Sequence, residues 1–166
     1  MEQLIKKLVE QNKSITLIEN SNLKGFGLTI SGYKDSGISV ERFSVNANTS
    51  TNPRGIELIK ERQNINSEYT DSVEKASMMA SVASKASGSD FGIGVCGSIG
   101  AGGVTYVGIY DKDTKLIYKL RLAFDKNDVY LNKARIISTI KAQLIMLLNS
   151  KKTSKKFRTR VLEKQG

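Results

Sequence analysis

Histidine is absent from this chain of 166 residues and cysteine occurs once. Without histidine the commonest general base and metal ligand is missing, so zinc sites and Ser-His-Asp chemistry are not expected. The single thiol, Cys96, allows no internal disulfide and fits a reducing compartment. No run approaches about 18 uninterrupted apolar residues, so neither a membrane span nor a membrane partner is expected. The opening MEQLIKKLVEQNK mixes both charge signs and holds no cleavable apolar region, so no leader peptide is expected. A cytoplasmic location follows as an expectation. Asp90, Asp111, Asp113, Asp125 and Asp128 are scattered through turns without ligand spacing, so no metal and no cofactor are expected. The four methionines read as core.

What is present is ordinary in bulk and uneven in charge. A hydrophobic content of 39% and a charged content of 25% suit one globular domain with a real core. The net charge of +10 is concentrated near the end: residues 150–166 hold seven Lys/Arg against Glu163, a net +6. Residues 1–149 form the expected domain, and residues 150–166 a flexible basic tail.

In chain order, Leu4, Ile5, Leu8 and Val9 stand at helical spacing over residues 2–12. Ser14–Glu19, rich in β-branched residues, reads as a buried strand running into Asn20-Ser21-Asn22, good helix-capping types. A helix weakened by Gly25 and Gly27 follows, then an alternating strand over Gly37–Val45. A polar loop holds the only proline, Pro53, before a short helix over Gly55–Gln63. Thr70 or Asp71 can cap a helix running to Ser87, with Val73, Ala76, Met79 or Ala80, and Ala83 inward and Gly88 as its stop. Its small residues suggest close packing on a sheet. Strands over Val104–Tyr110 and Leu116–Phe124 flank a hairpin signal at 111–114, pairing Tyr106, Ile109 and Tyr110 with Ile117, Tyr118 and Leu120. A last helix is expected over about Asn127–Asn149. This order predicts a three-layer α/β/α sandwich with a mixed sheet.

The stretch around which the rest is organised is DFGIGVCGSIGAGG, residues 90–103. An apolar strand that breaks into Gly97, Gly100, Gly102 and Gly103 exposes backbone N–H groups at its carboxyl end, where α/β sheets bind ligands. A tight turn before the next strand is the plainer alternative. Gly103 is followed by Val104 rather than Gly-Lys-Ser/Thr, which excludes a P-loop, and there is no GxGxxG.

Taken together, Cys96–Gly103 (CGSIGAGG), Ile18–Asn22 (IENSN) and the Ser67–Ala83 segment resemble the C-terminal domain of the competence/damage-inducible CinA proteins. The first matches a consensus TGIAGPGG with all four glycines in register, the second AESxT, the third VSxxxAxxMA. The resemblance spans about Lys7–Leu148. Stand-alone members of that family are nicotinamide mononucleotide (NMN) deamidases, which hydrolyse the carboxamide and release ammonia. The resemblance implies a serine nucleophile in AES helped by a lysine in YSxxxK, a Ser-Lys logic that needs no histidine. It implies ligand contacts at Gly97, Ser98, Gly100, Gly102, Gly103 and Arg54, and a homo-oligomer.

Several chemical positions of that family are substituted here. Asn20 stands at the serine, with Ser21 one place later; Ala47 stands at the tyrosine and Asn52 at the lysine. Arg54 matches the arginine of KVRLL and is too basic to act as a base. Leu23 and Lys24 replace two glycines, the TPEKPVG insert is missing, and GDR becomes Asp125-Lys126-Asn127, where Lys126 or Arg135 partly replaces the charge.

Three functions follow. The first is an amidohydrolase with Ser21 as nucleophile and Lys24 as its helper, three apart and able to share a helix face; Ser21 as a plain helix cap is the competing explanation. The second is a non-catalytic relative that binds a nucleotide or a protein partner through the glycine loop. The third places function in the basic Lys151–Arg160 region, contacting nucleic acid or another anion, against a solvated terminus or one docked on a neighbour through Phe157, Val161 and Leu162. Cys96 reads as a buried strand-end thiol rather than a reactive one.

Overall fold

The computed structural model describes residues 2–19, 40–44 and 70–165. The helices expected near 20–31 and over 55–63 lie outside these residues, as do Asn20, Ser21, Lys24, Ala47, Asn52 and Arg54. The described elements are α1 (Glu2–Glu10), β1 (Ile15–Glu19), β2 (Val40–Ser44), α2 (Val73–Ser87), β3 (Phe91–Gly97), β4 (Val104–Asp111), β5 (Ile117–Ala123) and α3 (Val129–Gln165).

The strands form a sheet of order β2-β1-β3-β4-β5. β1 runs parallel to both β2 and β3, while β4 is antiparallel to β3 and β5 antiparallel to β4. The sheet is therefore mixed, as the sequence pattern predicts. Successive strand residues point to opposite faces, and the two faces are built differently. On one, Ile15, Leu17, Phe91, Ile93, Val95, Val107 and Ile109 meet Leu4 and Leu8 of α1 and Ile136, Ile140, Leu144 and Leu148 of α3. Each such side chain, once fully buried, contributes roughly 1.5–3 kcal/mol. On the other face Ile18 and Cys96 meet Ala76, Met79 and Ala83 of α2. The result is three layers, α2 / sheet / α1 with α3.

The α2 face is paved with glycine because the helix backbone lies directly on it. A Cβ at Gly92 would sit 1.9 Å from the Ala80 carbonyl oxygen, one at Gly94 2.2 Å from that of Ala76, and one at Gly108 2.6 Å from the same Ala76 oxygen. The strand residues 91–95 thus alternate large side chains toward one layer with none toward the other. α2 begins at Ser72, whose Oγ accepts from the Lys75 amide at 3.1 Å, and stops at Gly88 in the left-handed region (φ 74°).

Four expectations need correction. Tyr106 pairs with Arg121, and Leu120 with Val107, while Ile109–Tyr118 and Tyr110–Ile117 pair as expected. Met78 and Met146 lie on the surface, and only Met79 among the described methionines is core. Val73 is half-buried rather than an inward anchor, whereas Ala76, Met79, Ala80 and Ala83 are fully buried. Finally, α3 does not stop near Asn149 but continues to Gln165 as one helix of 37 residues. The apolar period ends at Leu148; the backbone does not, because Lys, Arg, Glu, Gln and Leu are strong helix formers and no glycine or proline interrupts them.

Candidate ligand site

All three parallel strands deliver their carboxyl ends to one rim of the sheet. Glu19 of β1 stands opposite Ser44 of β2 and Val95 of β3, so the chain leaves β1 beside Cys96 and the start of the glycine loop. α2 and α3 also begin at this rim: the Cys96 Sγ donates to the Ser72 carbonyl at 3.4 Å, and Asn132 in the first turn of α3 reaches back to the loop. Such a rim is where open α/β sheets place ligands, and helix amino termini there favour anionic groups.

The loop has a fixed shape built from its own backbone. Gly97 adopts φ 107° and Gly102 φ 71°, conformations that glycine reaches at little cost. The Ser98 amide donates to the Val104 carbonyl at 2.9 Å and the Gly103 amide to that of Gly100 at 2.9 Å. The Gly102 amide donates to Phe124 O at 2.8 Å, and the Phe124 amide returns to Gly103 O at 3.1 Å, which fastens the loop to the exit of β5. A Cβ on Gly103 would lie 2.7 Å from Ser98 Oγ and 2.8 Å from Gly100 O, so the turn closes only around a glycine. Asn132, 7% exposed, donates through Nδ2 to Ile99 O at 2.8 Å and to Lys126 O at 2.9 Å. Ile99 packs against the main core. What this leaves is a run of three amides, Ile99, Gly100 and Ala101. Among the described residues the first and third have no acceptor, and the second lies 3.5 Å from Ser98 Oγ, the outer limit of a hydrogen bond. Consecutive amides of this kind form a concavity suited to phosphate or carboxylate oxygens.

Beside the loop stand two groups that the sequence did not single out. Lys75 is only 6% exposed, an unusual degree of burial for lysine, and its Nζ pairs with Asp71 Oδ1 at 3.0 Å. A lysine in the first turn of a helix reads as solvated; the signal that it is not is its spacing of four from Met79, which places it on the buried stripe. Asn132 had a similar signal, four residues before Ile136 and on the same stripe. Cys96, 2% exposed, is inert by environment: burial pushes its thiol pKa up, and the hydrogen bond to Ser72 only partly offsets this. Arg135 donates to Ala123 O at 3.0 Å and lies over the Phe124 ring, so it braces the exit of β5. Among the described residues no group of His, Cys, Asp or Glu is arranged to hold a metal, and no helix is long and apolar enough to cross a membrane.

Of the residues expected at the site, the structure brings together Gly97, Ser98, Gly100, Gly102 and Gly103. The expected catalytic pair, Ser21 and Lys24, and the expected ligand contact Arg54 lie outside the described residues.

Solved structures with the same fold carry the family suggested by the glycine loop. A CinA superfamily protein from Klebsiella pneumoniae superposes with a TM-score of 0.67 at 14% identity, covering 89% of this chain and 94% of that one. One from Escherichia coli gives 0.65 at 18% identity, covering 87% and 86%. The competence/damage-inducible protein CihA from Agrobacterium tumefaciens gives 0.61 at 16% identity, covering 89% and 92%. No protein-family model matches the sequence, and no curated protein matches it. In fold, then, the chain is a CinA-like domain.

Proposed function

We propose that this protein is a nucleotide-binding relative of the nicotinamide-nucleotide amidohydrolases that keeps the ligand-holding loop and has a degenerate Ser/Lys centre. The observation that carries this reading is the Ile99–Ala101 amide run, held at the carboxyl rim by Asn132 and by the exit of β5, with two helix amino termini converging on it. That arrangement recognises an anionic group and needs no nucleophile. The chemistry of the resemblance (NMN and water to nicotinate mononucleotide and ammonia) requires a serine and a lysine where this chain has Asn20 and Asn52. The reading includes a cytoplasmic location and self-association.

A specific observation keeps the catalytic alternative in view: the last residue of β1, Glu19, stands opposite Val95, two positions before the glycine loop begins. The test is ammonia release from NMN by the purified protein and by Ser21→Ala, with NMN binding followed by calorimetry on the same samples. Binding without turnover is the expected result. Turnover that disappears in Ser21→Ala overturns it in favour of an active deamidase with its nucleophile shifted by one position. Absence of both binding and turnover removes the nucleotide reading altogether.

A further inference from the structure

The helix that closes the domain does not end with it. α3 covers the sheet with Ile136, Ile140, Leu144, Leu147 and Leu148 and is then clamped at the opposite rim. Lys151 Nζ pairs with Asp111 Oδ2 at 2.7 Å and with Asp113 Oδ2 at 3.1 Å. Asp111 is 2% exposed, so this pair fixes the helix where it leaves the core. Continued at helical period, the core-facing stripe next meets Ser154, Lys155 and Arg158. From Lys152 to Gln165 the helix runs about 20 Å further, carrying Lys152, Lys155, Lys156, Arg158, Arg160 and Lys164 against Glu163, a net +5. The helix dipole favours cations only within the last turn, which accounts for Lys164 and not for the bases upstream.

From this clamped basic helix we infer a docking surface for the phosphate backbone of duplex nucleic acid, read without regard to sequence. Duplex DNA presents one charge per about 1.7 Å, a density that six cations spread along about 20 Å of helix can answer. An anionic membrane fits less well. Interfacial helices need a continuous apolar face, and between Lys152 and Gln165 only Phe157, Val161 and Leu162 are apolar, against six cations. The inference does not depend on the glycine loop holding a nucleotide.

The test is fluorescence anisotropy of a labelled duplex of about 20 base pairs and arbitrary sequence, titrated with the full chain over a range of salt concentrations. Micromolar binding is expected at low salt, with a log–log salt slope of about −3 to −5, the bound for six cations being about −5.4. The variant Lys152→Glu/Lys155→Glu/Lys156→Glu/Arg158→Glu should bind at least tenfold more weakly with a nearly flat slope. A second variant with the same four positions changed to Gln guards against misfolding and should weaken binding in the same direction; circular dichroism verifies that both remain folded. Absence of binding at low salt, or equal binding by folded variants, overturns the proposal. So does charge-dependent binding to phosphatidylserine vesicles without binding to the duplex. NMN titrations on the same variants should be unchanged, which separates failure here from failure of the nucleotide reading.

Discussion

The two rims of the sheet use polar residues in opposite ways. At the amino rim of the parallel strands the described charges form ion pairs: Lys13 with Asp90 at 3.8 Å and Asp113 at 3.1 Å, Lys151 with Asp111 and Asp113. Asp90 also accepts from the Ser14 amide at 2.9 Å, and a buried hydroxyl cluster of Thr16, Ser87 and Ser89 closes the layer beneath. At the carboxyl rim the loop spends most of its amides on its own shape, and among the described residues Ile99 and Ala101 are left without acceptors. One rim is saturated and serves the fold. The other is rigid and retains unused donors, which is what a binding surface requires.

The sharpest way to break this contrast is to unpair the saturated rim. Lys151→Met leaves the buried Asp111 carboxylate without its main partner, and loss of one member of a buried pair costs about 3–5 kcal/mol. We expect a loss near the lower figure, because Asp111 Oδ1 still accepts the Asp113 amide at 3.1 Å, and chemical denaturation measures it. Ligand affinity at the far rim should not change at protein concentrations where the variant remains folded. A loss of affinity there would mean the rims are not independent.

The reciprocal change is Gly103→Ala. The added methyl meets Ser98 Oγ and Gly100 O, and overpacking of this kind costs about 1–3 kcal/mol. Its signature should be loss of anion or nucleotide binding by calorimetry, out of proportion to the change in melting temperature. If binding survives, the Ile99–Ala101 amides are not the subsite.

The smallest effect is the dependence of stability on pH. Asp113 has its pKa lowered, first by the hydrogen bond from Lys151 and then by that from Lys13. A carboxylate lowered on folding contributes stability that is present above its unfolded pKa and lost as pH falls through the folded value, so the contribution fades below about pH 4. For Lys151, burial works against the ammonium, but hydrogen bonds to Asp111 and Asp113 outweigh it and the pKa is raised. That contribution is complete below the unfolded value and fades as pH rises above about 10.5. Urea midpoints should therefore form a plateau between these limits, and in Asp113→Asn the acid-side fall should be shallower. The effect is modest because Asp113 is half exposed.

How much of this was legible in the sequence follows the same division. The glycine loop declares itself because four glycines within seven residues, after an apolar run, have few other structural uses. The small-residue face of α2 was equally plain, since Ala76, Ala80 and Ala83 recur at helical spacing. The saturated rim was not legible. Asp111 reads as a turn residue, and nothing local says that it will be buried; its burial depends on Lys151 arriving from forty positions away. Lys75 was hidden for a related reason, since a first-turn lysine is ordinarily solvated and only the three-dimensional position of α2 against the rim buries it. The Tyr106 pairing differs from the expected one because strand identity does not set register, which a four-residue turn ending in left-handed Lys115 (φ 61°) fixes here.

The Lys151 clamp also has a consequence for the order in which the protein can be made. Asp111 leaves the ribosome forty residues ahead of its cationic partner, and α1 waits still longer: Gln11 donates to the carbonyl of Leu148, 137 positions on. At about 5–20 residues per second, the hairpin carboxylate spends about 2–8 seconds without its counter-charge, and the first helix longer still without the surface it packs on. The nascent domain cannot complete its core until almost all of it has been synthesised. A translation pause in the codons for α3 should therefore lengthen the life of an open, unclasped intermediate, whereas a pause after Lys151 has emerged should not.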